Sequence, residues 1–135
     1  MRVFLDTNVL VSAFASRGLC AALFEVVLLD HELILGRNVL RELERALRAK
    51  VRLPAVRASE IVGFVAGEAA SVVETADAAK VKVEASDALV LGEARSGLAE
   101  VFVTGDGALL RLASVGELKI VSPRQFWDVL RAERT

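Results

Sequence analysis

Val3-Phe4-Leu5-Asp6, inside the opening MRVFLDTNVLVSAF (residues 1–14), has a counterpart far down the chain. That counterpart is Val101-Phe102-Val103-Thr104-Gly105-Asp106, inside EVFVTGDGALL (residues 100–110). Each is a three-residue apolar run that leads into an aspartate. Short unbroken apolar runs of this kind suit strands of a parallel sheet covered on both faces. Neighbouring parallel strands open their carboxyl ends on one crevice, so Asp6 and Asp106 would meet there. Asp87, at the head of an apolar helical stretch, is a third acid for the same crevice. Crowded carboxylates repel one another, and a hard divalent cation relieves that repulsion. On its residues alone the chain reads as a metal-dependent hydrolase.

Working outward, strands alternate with helices. Residues 2–5, 32–35, 72–73, 101–103 and 118–121 read as strands. Residues 7–15, 19–30, 38–49, 54–70, 87–95, 106–112 and 123–134 read as helices. The 38–49 helix is the clearest, with Val39, Leu40, Leu43, Ala46 and Leu47 on one face at helical spacing. Ser86 is placed to cap the helix that starts at Asp87. Lys80-Val81-Lys82-Val83-Glu84 alternates polar and apolar and reads as extended. Alternating strands and helices imply an α/β fold with right-handed crossovers. No linker, repeat or low-complexity stretch divides the 135 residues, which read as one domain, 1–135.

Composition narrows the function. Apolar residues make up 54% of the chain and the mean hydropathy is +0.48. No apolar stretch reaches the roughly 18 residues of a membrane span, and no signal-peptide pattern opens the chain. The reading is a cytoplasmic protein that buries a helical face against a partner, a second copy included. The single cysteine, Cys20, fits a reducing compartment and a structural role. A net charge of −1 argues against tight non-specific DNA binding. Arg37, Arg41, Arg45, Arg48, Lys50 and Arg52 nevertheless form a basic stretch, read equally as a solvated face or as an approach for phosphate.

A nuclease site needs three or four carboxylates around its metal. Asp6, Asp87 and Asp106 supply three. The 38–49 helix offers a fourth, but Glu42 and Glu44 flank its apolar face by similar angles, so periodicity does not choose between them. The plainer reading of Asp87 and Asp106 is that each caps a helix. Asp6 follows a buried strand, where a carboxylate needs a cation or several donors. Asn8 either steadies Asp6 or a metal-bound water, or caps the first helix. Thr104 bonds within the site or shapes its turn.

At this point the chain resembles the PIN-domain ribonucleases. MRVFLDTNVLVSAF resembles their opening strand and Asp-Thr-Asn triplet. VLRELERAL resembles their second motif, which assigns the site glutamate to Glu42. SDALVLGEA resembles the third, carrying Asp87, and EVFVTGDGALL the fourth, carrying Asp106. The resemblance is closest to the VapC-like, toxin-type branch. It implies a three-layer α/β/α domain with a parallel sheet in the order 3-2-1-4-5. It also implies Mg²⁺ or Mn²⁺ held by Asp6, Glu42, Asp87 and Asp106, endonucleolytic cleavage of RNA, a homodimer and an antitoxin partner.

Three positions depart from the family pattern. Ala108 stands where relatives often carry a further Asp. Glu84-Ala85-Ser86-Asp87 replaces Asp-Pro-x-Asp. Gly36 stands where Ser or Thr commonly opens the second motif. The loss at Ala108 keeps a second reading open: a non-catalytic protein-interaction module on the same fold. Lys82 is a further phosphate contact or a solvated lysine. An aspartyl phosphatase would want an acid at Asn8, and a dinucleotide site would want a Gly-x-Gly-x-x-Gly turn after the first strand. Neither is present.

Overall fold

Parallel pairing sets Val3 opposite Val101, Phe4 opposite Phe102 and Leu5 opposite Val103. This joins β1 (Arg2–Leu5) to β4 (Val101–Val103) in the middle of the sheet. The remaining strands are β2 (Glu32–Gly36), β3 (Ser71–Val73), β5 (Ser114–Val115) and β6 (Leu118–Val121). The computed structural model describes residues 1–133 and orders the strands β3-β2-β1-β4-β6-β5. All pairings are parallel except the β5–β6 hairpin. The five parallel strands follow the expected 3-2-1-4-5 order. The two-residue β5 adds an antiparallel edge that periodicity could not reveal, being too short to alternate.

The sheet is flanked by helices α1 (Thr7–Ala15), α2 (Leu19–Asp30), α3 (Arg37–Ala49), α4 (Ala55–Glu68), α5 (Ala85–Ser96), α6 (Gly107–Leu110) and α7 (Pro123–Glu133). Val3, Phe4, Leu5, Phe102 and Val103 are fully buried, as strands covered on both faces require. Phe4 and Phe102 stack across the β1–β4 pair, with centroids 5.3 Å apart. The α3 face made of Val39, Leu40, Leu43, Ala46 and Leu47 is buried throughout. Phe126 and Trp127 of α7 join the core, the first fully and the second in part. Among the described residues no single helix is long and apolar enough to cross a membrane, and α1 and α2 meet at a bend of 105°.

Two local expectations are corrected, and a third lies partly outside the described residues. Residues 80–83 bend instead of extending. Val81 and Val83 donate backbone hydrogen bonds two residues back, to Ala79 and Val81, at 3.0 and 3.1 Å. The polar–apolar alternation survives because successive tight turns still send both valines toward the core. Ser86 is not the cap of α5, which begins earlier with Glu84 as its N-cap residue. The last helix reaches Glu133, and Arg134 lies outside the described residues.

The chain reverses its direction of travel across the sheet between β1 and β4. In an open α/β sheet the crevice for a ligand lies at that point, outside the carboxyl ends of the strands. Replacing Phe102 by Ala would remove the stacked pair at the base of the crevice. We expect a loss of about 3–5 kcal/mol, read as a lower urea midpoint at an unchanged m-value.

Candidate active site

Asp6 leaves the end of β1 and is the N-cap of α1. Its Oδ1 accepts the Thr7 amide at 2.9 Å, and its Oδ2 accepts the Thr104 hydroxyl at 2.7 Å. The Asn8 side-chain amide approaches Oδ2 at 3.5 Å, a marginal distance for a hydrogen bond. Thr104 is fully buried and acts as a link. Its hydroxyl donates to Asp6 and accepts the Asp106 amide at 3.1 Å. Asn8 closes the same turn by accepting the Gly105 amide at 3.1 Å through Oδ1. Asn8 therefore clamps the 104–106 loop, and the capping of α1 falls to Asp6.

Asp106 is the N-cap of α6, with Oδ1 accepting the Ala108 amide at 2.8 Å. Glu42, from the middle of α3, accepts the Thr7 hydroxyl at 2.8 Å. Asp87 projects from the first turn of α5. Asp6, Glu42, Asp87 and Asp106 line one cleft of about 520 Å³, together with Thr7, Asn8, Arg45 and Lys50. Glu44 lines a different cleft, on the other flank of α3. Periodicity left Glu42 and Glu44 equivalent; the position of the crevice beside α3 separates them. A larger cavity, at the opposite end of the sheet, is bounded mainly by apolar groups such as Leu98, Leu118, Phe126 and Val129. Its acids, Glu100 and Glu117, come with Arg95 and Lys119, so the smaller cleft holds the concentration of like charge.

That concentration perturbs the acids. Burial pushes Asp6 from 3.8 to about 6, against the bonds from Thr104 and Thr7, and Glu42 and Asp87 add repulsion. Asp87 is also raised, first by burial and then by Asp106, Glu84 and Glu42. A donor set made only of carboxylate oxygens, free of His and Cys, suits Mg²⁺ or Mn²⁺ better than a softer ion. Among the described residues no three such side chains yet stand close enough to share an ion, so side-chain rotation would have to complete the set. Cys20 has its thiol pushed up by burial, a weak position for a nucleophile.

One contributor escaped the sequence reading. Glu93, on α5, is almost fully buried, and its carboxylate accepts the Asn38 and Val39 amides at 2.8 and 3.4 Å. These are orphan donors at the start of α3, whose N-cap, Gly36, has no side chain to offer. A Cβ added at Gly36 would overlap the Glu93 carboxyl. A glutamate from α5 thus does the work of the missing Ser or Thr. It fixes the helix carrying Glu42 against the helix carrying Asp87. Two signals were available: a capless glycine before an amphipathic helix, and one charged residue inside the apolar run 88–94.

With the geometry in view, a family model described as PIN domain matches residues 2–108. The chain belongs to the PIN-domain family. Among solved structures, the crystal structure of VapBC2 from Rickettsia felis, bound to a DNA fragment from its promoter, has a similar fold. The TM-score is 0.66 at 14% identity, over 90% of this chain and 98% of that one. No curated protein matches the chain in sequence. The PIN match spans all four acids of the cleft and Glu93.

Two outcomes follow for the metal-free protein. Asp6 holds its proton to about pH 6 when folded but only to about 3.8 when unfolded. Between those values the native state binds more protons. The stability present below pH 4 is therefore lost as pH rises through about 6, by an amount on the order of 2–3 kcal/mol. Asp6→Asn should flatten that part of the melting-temperature profile. Separately, Glu93→Ala should cost about 1–2 kcal/mol through lost capping. Adding Gly36→Ser to it should recover part of the loss, although Gly36→Ser alone destabilises by overlap. A double-mutant cycle followed by denaturant midpoint checks this; simple additivity would exclude the capping relationship.

Proposed function

We propose that this protein is a metal-dependent endoribonuclease of the VapC-like toxin type, acting as a single cytoplasmic domain, 1–135. The observation that carries the reading is the convergence of Asp6, Glu42, Asp87 and Asp106 on one strand-end cleft from four separate segments. Burial and mutual repulsion there favour a cation over four free charges. Strongly perturbed carboxyls in a cleft are the usual mark of a working site.

Asp6 and Asp106 would be the primary ligands of Mg²⁺ or Mn²⁺, with Asp87 and Glu42 completing the set directly or through water. Such an ion, when bound, supplies charge stabilisation at the scissile phosphate and acidifies water. The residues of the chain prepare for this. Thr104 orients the Asp6 carboxyl, and Asn8 holds the loop that presents Asp106. Thr7 steadies Glu42. Arg45 and Lys50, on the wall of the same cleft, offer positive charge to an incoming phosphodiester. Attack in line by water, with no covalent intermediate, is the reaction this arrangement suits.

The likeness to the Rickettsia felis VapBC2 structure supports an antitoxin partner. The apolar surface supports protein contact, either with an antitoxin or in a homodimer. Phe64 of α4 stays half exposed while packing edge-on to Phe14 near Phe24, and Leu29 and Val56 are largely exposed. The absence of an acid at Ala108 favours a second reading, a non-catalytic interaction module on the same fold.

Mn²⁺ in excess should raise the melting temperature of the parent by mass action, by about 2.7 kcal/mol of stability at a hundred times Kd. Asp6→Asn should abolish that rise. Outer-shell residues at metal sites typically contribute about 10–100-fold to activity. Thr104→Val should therefore lower RNA cleavage within that range, and Asp6→Asn or Asp106→Asn by more than about 100-fold. Glu42→Gln should be far more damaging than Glu44→Gln. Incubation with a mixed RNA pool, with and without Mn²⁺, checks all of these. Metal binding without cleavage would select the interaction module.

A further inference from the structure

Charge is unevenly distributed along this chain. Residues 37–57 hold seven of its seventeen Lys and Arg with only two acids, although the whole carries −1. On α3, at 100° per residue, Arg41, Arg45 and Arg48 fall within about 60° of one another. They lie opposite the buried face centred on Leu43, and all three are exposed. The stripe spans about 10 Å along the helix, at 1.5 Å per residue. Arg37 begins the same stripe but is held by Glu74 in a two-pronged pair at 2.7 and 2.9 Å. Among the described residues the ion pairs are Arg2–Glu32, Arg37–Glu74 and Arg124–Asp128. Arg41, Arg45 and Arg48 therefore present uncommitted guanidinium groups.

These three arginines line a cleft with Glu44 and Leu53, and Arg45 is shared with the wall of the acidic cleft. Uncommitted charges therefore run from the carboxylates outward along one helix. Like charges held in a row are destabilising unless something of opposite sign covers them. Guanidinium forks match phosphate geometry with two parallel hydrogen bonds. Glu44 weakens the stripe by one charge without interrupting it. A row one side chain wide follows one phosphodiester backbone more readily than the two of a duplex.

We infer that Arg41, Arg45 and Arg48 form a phosphate track that holds single-stranded RNA alongside α3 and feeds it past Arg45 into the acidic cleft. This rests on the hydrolase reading for the identity of the strand, but its test is binding and not cleavage. The track would supply the RNA affinity that the hydrolase reading requires of a chain of net negative charge. It also gives Arg45 a position between holding the strand and presenting it.

The experiment uses the full chain carrying Asp6→Asn, in EDTA, with a fluorescein-labelled 12-nucleotide single-stranded RNA. Anisotropy gives Kd from 50 to 200 mM salt. For single strands the slope of log K against log salt is about −0.7 per phosphate neutralised. Arg41→Gln/Arg45→Gln/Arg48→Gln should weaken Kd at least tenfold at 50 mM salt and flatten the slope by about 2. The corresponding Lys triple variant should keep the slope, and Arg124→Gln on α7 should change neither quantity. If the Gln triple variant melts early, its three single variants should each flatten the slope by about 0.7.

Parental Kd and slope in the Gln variants would overturn the track. So would a loss confined to a ten-residue polyglutamate peptide, which would mark a protein-docking face, or equal effects on duplex and single strand. Cleavage by the parent with Mn²⁺ alongside unchanged RNA binding by the triple variant would sink the track and leave the hydrolase. Binding through the stripe with no cleavage under any metal would do the reverse.

Discussion

The Asp6 amide donates to the Val103 carbonyl at 3.0 Å, extending the β1–β4 ladder by one rung past the strand end. Nearly everything at the cleft depends on that pairing. It sets the Asp6 carboxyl beside Thr104, which in turn holds the Asp106 amide. The Asp6 carboxyl and the backbone of Asp106, from opposite ends of the chain, are thereby joined through one buried hydroxyl. A slip of one residue between β1 and β4 would turn Phe4 and Phe102 away from each other and move Thr104 out of reach. The stacked rings below the crevice and the hydrogen bonds above it therefore enforce the same register.

Glu42 and Asp87 arrive by a separate route. Neither sits at a strand end, so the sheet alone does not align them. Glu93 does so by joining α5 to the start of α3. The cost is a second buried carboxyl, itself raised by burial and by Glu42. The site is thus built from like charges held close by a well-determined scaffold. A protein selected only for stability would have placed an uncharged cap at Asp6 and capped α3 from position 36 in place of Glu93. Retaining acids at both positions is intelligible where positioning matters more than the few kcal/mol lost.

How far the sequence led depended on whether the determining contact was local. The α3 face was legible because five apolar residues recur at helical spacing and all five are buried. The parallel sheet followed from the alternation of strands and helices, and the strand order from the family resemblance alone. The start of α5 was not legible. Its loop is closed by a backbone bond from Ala79 to the Ala88 carbonyl at 2.8 Å, so Ser86 falls inside the helix despite its capping chemistry. Thr104 and Asn8 were visible as candidates, but their partners are set by tertiary packing. The choice of Glu42 over Glu44 came from the family motif alone, because no angular count supplies the location of the crevice. Glu93 was hidden because a charged residue in an apolar run has meaning only beside the helix terminus it caps.

The departures from the family pattern fall into two kinds. At Gly36 the lost side-chain cap is replaced, atom for function, by the Glu93 carboxylate, and the glycine is what leaves room for it. That change moves a task from one element to another and leaves the position of Glu42 secured. At Ala108 nothing is substituted. The residue is exposed, its amide is taken by Asp106, and the acids on the cleft wall are Asp6, Glu42, Asp87 and Asp106. One acid fewer means less repulsion to neutralise, and it leaves Arg45 and Lys50 on the same wall with a larger share of the local field. The local charge at this end of the cleft is therefore less negative than a fifth acid would make it. If the cleft takes RNA as proposed, charge on the α3 side, and not only carboxylates at the strand ends, is part of what it would present to the strand.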